Sequence, residues 1–175
     1  RKRRGFREAR IRHHFVPELQ APAVPLGPGH NTVNVTRDLG ENNPSIQFDG
    51  TNWHYHFARG DAGWISAFEL ANKFAIHRIY FPRGVYWFGD TVSKPPRYNA
   101  TVVDLSLYPR LWDGESIDVF GDGDYQTSFT TWGPVVDGSM LEISASKTIA
   151  TMAQRFHGFH FDACSSDFAL AINNP

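Results

Sequence analysis

The feature that most restricts the fold is a rhythm of short strands. After residue 75 the chain reads "RIYFP", "GVYWFG", "TVVDLSLY", "SIDVFGDG", "TSFTTW", "MLEIS", "RFHGFHFD" and "FALAIN", β-branched and aromatic runs with turn-forming residues between them. Short runs of this kind, bounded by turn formers, read as strands, and none is long enough for an independent helix. In "IHRIYFPRGVYWFGDTV", residues 76 to 92, the alternation breaks at Pro82, Arg83 and Gly84. Proline fixes φ and lacks a backbone donor, and glycine tolerates a positive φ, so Pro82 and Gly84 are expected to turn the chain between two strands. Ile79 and Phe81 then face the interior and Tyr80 faces out.

One segment has a different period. In "ISAFELANKFA", residues 65 to 75, Phe68, Leu70, Ala71, Phe74 and Ala75 cover a broad apolar face, with Ser66 as the expected N-cap and Glu69 completing a capping box. It stands directly before the first strong strand. Tyr80, Val119, Ile143 and His160 recur at intervals too irregular for a sequence repeat but compatible with stacked coils. The expected fold is therefore mainly all-β, a solenoid whose inward residues stack from coil to coil, with the helix laid across the otherwise unpaired edge of the first coil.

The 175 residues suffice for one core, and the 14 Phe, 5 Trp and 6 Tyr exclude a disordered chain. Cys164 is the only cysteine, so the chain has no internal disulfide and no cysteine-built zinc site, and it is expected to be a small buried thiol. No apolar run is long enough to span a membrane. Charge is unevenly placed: Arg1, Lys2, Arg3, Arg4, Arg7, Arg10 and Arg12 face only Glu8 within the first 15 residues, whereas the whole chain has a net charge of −1. A basic arm on an acidic body suits nucleic acid or an acidic protein surface, set against the plainer reading of a solubilising or flexible terminus; as a site it is read as a partner-docking arm. Nucleic acid is not favoured, because no aromatic platform or known motif accompanies these charges. Pro17, Pro22, Pro25 and Pro28 follow, biasing the chain toward an extended strap. The organisation expected is a basic and proline-rich arm over 1–30, a short β-rich attachment segment over 31–59, and the helix with the first coils over 60–175. A chain beginning with Arg is expected to be a processed product or part of something longer.

Gly121-Asp122-Gly123 after an apolar strand lacks the further glycine, the Lys-Ser/Thr pair and the following helix of a phosphate cradle, so Gly121 and Gly123 are read as a corner. His54 and His56 lie on one face of a strand, and His13, His14, His157 and His160 are further candidates. Only pairs can be identified where a metal needs three or four donors, so no metal and no cofactor is expected. Arg59-Gly60-Asp61 is read as a turn rather than an adhesion motif. Asp104, Asp118, Asp122, Asp124, Asp137 and Asp162 offer carboxyl groups of the kind glycosidases use in pairs, but no single residue is assigned a catalytic role. Trp112, Tyr125 and Trp132 fall in turn-like segments where exposed rings stack on sugar faces, and they are the candidate carbohydrate-binding residues.

The order of these motifs resembles the pectate-lyase-like superfamily of right-handed β-helices, which includes polysaccharide lyases, glycoside hydrolases and bacteriophage tailspikes. Pro82, Gly84 and Tyr86 match a Pro-x-Gly-x-Tyr corner after the helix. Gly121, Asp122, Gly123 and Thr127 match a Gly-x-Gly followed by Thr, and Phe156, Gly158, Phe159, Phe161 and Asp162 match a later coil. The resemblance covers about residues 60 to 175 and departs from the family at "RGDAGWIS", where Asp61 is the only acid of the turn before the helix. It implies the start of a right-handed parallel β-helix in a virion-associated, homotrimeric spike. The N-terminal arm of such a spike joins virion or tail proteins, and its body binds or degrades cell-surface polysaccharide. The alternatives are a secreted lyase or hydrolase whose active site lies further along a longer chain, and a non-catalytic structural adaptor.

Overall fold

The computed structural model describes residues 30–89, 101–111, 116–131, 139–145 and 154–162, and the backbone of 168–173. In chain order the elements are β1 (Val33–Asn34), β2 (Ser45–Phe48), β3 (Trp53–His56), α1 (Trp64–Phe74), β4 (Arg78–Phe81), β5 (Gly84–Phe88) and β6 (Thr101–Asp104). They continue with β7 (Ile117–Gly121), β8 (Thr127–Thr131), β9 (Ser139–Ser144), β10 (Gln154–His157), β11 (His160–Asp162) and β12 (Phe168–Asn173). Three sheets result, ordered β1-β4-β7-β10, β11-β8-β5-β3-β2 and β12-β9-β6. The named strands pair in parallel except β2 with β3, which form an antiparallel hairpin.

Side-chain alternation sets the register. In the first sheet Val33, Ile79, Val119 and Phe156 stand opposite one another and point inward; in the second, Tyr55, Tyr86, Phe129 and Phe161 do the same. Val103 and Ile143 are the matching buried pair of the third. Ile79 and Phe81 are fully buried and Tyr80 is half-buried, as the alternation around them requires. Trp64, at the start of α1, fills the space between these ladders. Its ring lies within 4.8 to 6.4 Å of the rings of Phe68, Phe81, Phe129, Phe156 and Phe159. Full burial of a large apolar side chain contributes about 1.5–3 kcal/mol, and a well-placed aromatic pair about 0.5–1.5 kcal/mol more, so this cluster is a large contributor to the stability of the domain.

The expectation of a mainly all-β chain starting a right-handed parallel β-helix under a capping helix is corrected. Among the described residues the domain is small, sheet-rich and mixed α/β, with parallel and mixed sheets and one α-helix, and no closed solenoid forms. Periodicity fixes which face of a strand is buried, but it does not fix how sheets join: a strand reads alike whether it enters a coil or ends a sheet as a hairpin edge, and an apolar helix face reads alike on a capping helix and on a core-filling one. Trp64 and Phe68 make α1 part of the core rather than a lid laid over one end.

The helix start is also corrected. Ser66 and Glu69 form no capping box: Gly63, at φ 85°, is the N-cap, and the Asp61 carboxylate accepts from the backbone N–H groups of Gly63 (2.9 Å) and Ile65 (3.1 Å). Ser66 and Glu69 instead receive the Arg59 guanidinium, at 3.2 Å and at 2.7 and 3.1 Å. Asp61 wins because the turn before α1 runs through positive φ at Gly60, Ala62 and Gly63, which folds its carboxylate back over the first free N–H groups. At the other end Ala75, at φ 52°, donates its N–H back to Ala71 and Asn72.

Candidate functional site

The corner between β7 and β8 is built by the residues read as turn formers. Gly123 takes φ 124°, donates to the Gly158 carbonyl at 2.8 Å and accepts from the Gln126 N–H at 3.0 Å. A side chain at Gly121 would strike the Gly158 carbonyl and the buried Thr127. The Thr127 hydroxyl accepts from Asp122 N–H at 3.0 Å and donates to the Phe81 carbonyl at 3.1 Å. The Gly-Asp-Gly-to-Thr motif therefore locks one strand crossing onto the next. At the preceding corner Tyr86 donates its hydroxyl to the Pro82 carbonyl at 2.7 Å, and Gly84 adopts φ 147°.

The corner between β7 and β8 presents Tyr125. The residue is 75% exposed, its backbone sits at φ 65°, and its ring lies 4.6 Å from that of His160 on β11. Of the three rings read as sugar-binding, only Tyr125 falls within the described residues; Trp112 and Trp132 lie outside them, as do the arm residues Arg1, Lys2, Arg3, Arg4, Arg7, Arg10 and Arg12, together with His13, His14, Asp137 and Cys164.

A second set of groups adjoins the corner on the outer face of the first sheet. Tyr80, Phe120 and His157 stand opposite one another on β4, β7 and β10, with ring centroids 5.1 and 5.9 Å apart and planes within 24°. Arg78 lies 4.8 Å over the Phe120 ring, and Asp118 pairs with His157 at 3.0 Å and with Arg78 at 3.4 Å. Asp122 joins this ladder to the corner, taking the Tyr80 hydroxyl at 2.6 Å and the Arg83 N–H at 2.7 Å. Burial first, then this carboxylate, pushes the Tyr80 phenol well above its ordinary value of 10. Reading segments singly missed the ladder, because Tyr80, Phe120 and His157 share a face only through the register of three strands. The available signal was the outward position in "RIYF", "IDVFG" and "QRFH".

The paired histidines surround a tryptophan. Trp87 Nε1 donates to His54 Nδ1 at 2.9 Å, and since an indole N–H can only donate, the proton of His54 sits on Nε2 and is given to Asp49 at 2.9 Å. His56 also stacks on Trp87, at 5.8 Å. Both rings are thus engaged with Trp87, and among the described residues no three or more His, Cys, Asp or Glu converge on a metal-sized site. In the Arg59-Gly60-Asp61 turn Asp61 is 2% exposed and occupied by the helix N-terminus, so the tripeptide is not displayed. Asp104 caps its own turn through the Ser106 N–H and hydroxyl, and Asp124 and Asp162 are exposed.

No helix among the described residues is long and apolar enough to cross a membrane. No family model, no curated protein and no solved structure matches the chain.

Proposed function

We propose that this chain is the particle-proximal part of a virion-associated spike, trimeric, whose sheet-rich body binds cell-surface polysaccharide at the corner between β7 and β8. The observation that carries the reading is Tyr125. A non-glycine residue in the left-handed region costs about 1 kcal/mol, and an exposed ring gains nothing from burial to offset it. Such a cost is met at positions where the displayed side chain is used. A tyrosine face against a histidine ring is a preformed platform for a pyranose, with its hydroxyl and the exposed Asp124 available to sugar hydroxyls. The neighbouring Tyr80-Phe120-His157 ladder, with Arg78 and Asp118 beside it, extends the same chemistry along the sheet. The motif order resembling tailspikes and polysaccharide-active proteins supports the spike context, with the basic arm as the attachment element.

Binding of immobilised bacterial capsular and lipopolysaccharide-derived oligosaccharides to the full chain tests this. A glycan that binds the parent should lose about tenfold or more in affinity with Tyr125→Ala and keep most of it with Tyr125→Phe, tenfold being about 1.4 kcal/mol. Binding unchanged by Tyr125→Ala, or absent across the glycan set, would overturn the reading.

A further inference from the structure

Strand β2 is an edge. Among the described residues it pairs on one side only, with β3, and all four of its residues are exposed, Phe48 at 54% and Ile46 at 38%. Proteins usually blunt an apolar edge with lysine, proline, a bulge or a covering element, and Ser45-Ile46-Gln47-Phe48 has no such residue. The hairpin shows which backbone groups are open. Asp49 N–H donates to the Asn52 carbonyl at 3.2 Å, continuing the Phe48-Trp53 register, so by alternation Ser45 and Gln47 bond toward β3, while the N–H and C=O of Ile46 and Phe48 point away from it. Ile46 and Phe48 also share one face of the hairpin with Tyr55 and Trp53, and the Phe48 ring lies 4.6 Å from that of Trp53.

We infer that β2 pairs antiparallel with β2 of a second copy of this chain, about a two-fold axis through Gln47. The register follows from the strand's own chemistry. Centred on Gln47, Ile46 of each copy faces Phe48 of the other on the same apolar face, and all four outward backbone groups of each strand find partners. Gln47 then meets Gln47 in a non-hydrogen-bonded pair, and Asp49 meets Ser45, so no like charges oppose one another. A centre between residues sets apolar against polar side chains. A centre on Ile46 brings Pro44, which has no N–H, opposite Phe48, and a centre on Phe48 sets Ile46 against Gly50 outside the strand. The chain's own upstream stretch is a poorer occupant, because Pro17, Pro22, Pro25 and Pro28 lack the donors a ladder needs. The contact is isologous and therefore closed. In a trimer the same edge joins two trimers, so the assembly contains an even number of subunits. Four residues a side bury little area, so the association is weak and concentration-dependent.

Disulfide trapping in the full chain carrying Cys164→Ser tests the axis. Gln47→Cys should cross-link to itself under mild oxidation, because facing non-hydrogen-bonded positions have the Cα separation a disulfide needs, whereas Ile46→Cys, which faces Phe48, should cross-link at least about fivefold less. Sedimentation equilibrium should show even-numbered species that Ile46→Lys weakens about tenfold or more, with the circular dichroism spectrum unchanged. Equal cross-linking at both positions, cross-linking at neither, or an Ile46→Lys chain that associates like the parent would overturn the pairing. None of these readouts involves polysaccharide.

Discussion

The Tyr80 hydroxyl donates to Asp122 at 2.6 Å, tying the outer face of β4 to the corner that follows β7, 42 residues further along the chain. The same carboxylate takes the Arg83 N–H at 2.7 Å, so one side chain fixes two consecutive strand crossings and the position from which Tyr125 projects. Asp122→Ala leaves the phenol and the Arg83 N–H without this partner and should destabilise the domain by about 1–3 kcal/mol; Tyr80→Phe, which removes one partly exposed bond, should cost about 0.5–1.5 kcal/mol. Urea unfolding of the two variants checks the order. If the corner positions Tyr125, Asp122→Ala also weakens glycan binding while Tyr80→Phe leaves it largely intact.

Gly84 is irreplaceable for two separate reasons. Its φ of 147° is one that other residues rarely adopt, and a Cβ there would run into the Tyr55 ring and come within 2.9 Å of the Trp53 carbonyl. Tyr55 packs on Tyr86 at 4.7 Å in the interior ladder, which restricts its retreat on that side. Overpacking and backbone strain together should make Gly84→Ala cost about 2–4 kcal/mol, read as a shift in the urea midpoint with the slope preserved. Gly123→Ala has a strained φ of 124° but no neighbour within 4 Å, and should cost less.

The contrast between these glycines shows what the sequence could and could not say. Pro82, Gly84, Gly121 and Gly123 were read as corners from local turn chemistry; Gly84 opens β5 and Gly121 closes β7, with Pro82 and Gly123 outside the strands, while the inward positions of Ile79 and Phe81 were legible because alternation is local. The cap of α1 was misread because Ser66 and Glu69 have the right spacing, whereas Asp61 reaches the helix through a run of positive φ that no pattern announces. The overall architecture was misread for a related reason: strands that alternate in the same way can close a coil or end in an antiparallel edge, and β2 does the latter. The Tyr80-Phe120-His157 ladder is a property of register between strands about 40 residues apart, which a single sequence records only as three unrelated outward side chains.

Asp61 gives a direct test of the revised cap. Its two backbone acceptor bonds at 2.9 and 3.1 Å are made in a site from which water is excluded. Asp61→Ala should therefore cost about 2 kcal/mol, since it leaves two backbone N–H groups at the helix start without their acceptor. Ser66→Ala should cost less, since its hydroxyl only receives Arg59, which keeps Glu69. If Ser66→Ala proved the more damaging of the two in thermal unfolding, the capping box would be restored and the role of Asp61 lost.

At high pH the tyrosines should report the core. Burial raises the phenols of Tyr55, Tyr80, Tyr86 and Tyr108, the last to about 12, above their ordinary value of 10. A phenol whose folded pKa is raised contributes stability that is present below pH 10 and is lost as pH rises through the folded value. Ultraviolet difference titration should thus show these four ionising late and together with unfolding. Independent titration of all four near pH 10 in a folded domain would contradict the packing described.

Below neutral pH one contributor is His56. Burial, followed by the neighbouring His54, holds its pKa below the ordinary 6.5. The unfolded chain then takes up a proton that the folded chain resists, so the contribution of His56 to stability is present above pH 6.5 and is lost as pH falls from there through the lowered folded value. Asp49 acts in a separate window. The Asn52 N–H, His54 and the Thr51 N–H hold its carboxyl at about 2, so its contribution is present above 3.8 and disappears only as pH falls toward 2. Unfolding in urea at pH 7.5, 6 and 5 should show the midpoint falling across this range in the parent chain. His56→Phe keeps a ring against Trp87, 5.8 Å away in the parent, and removes the titrating group, so its midpoint should be flatter over the same range. A His56→Phe profile as steep as that of the parent would place the acid sensitivity on another group.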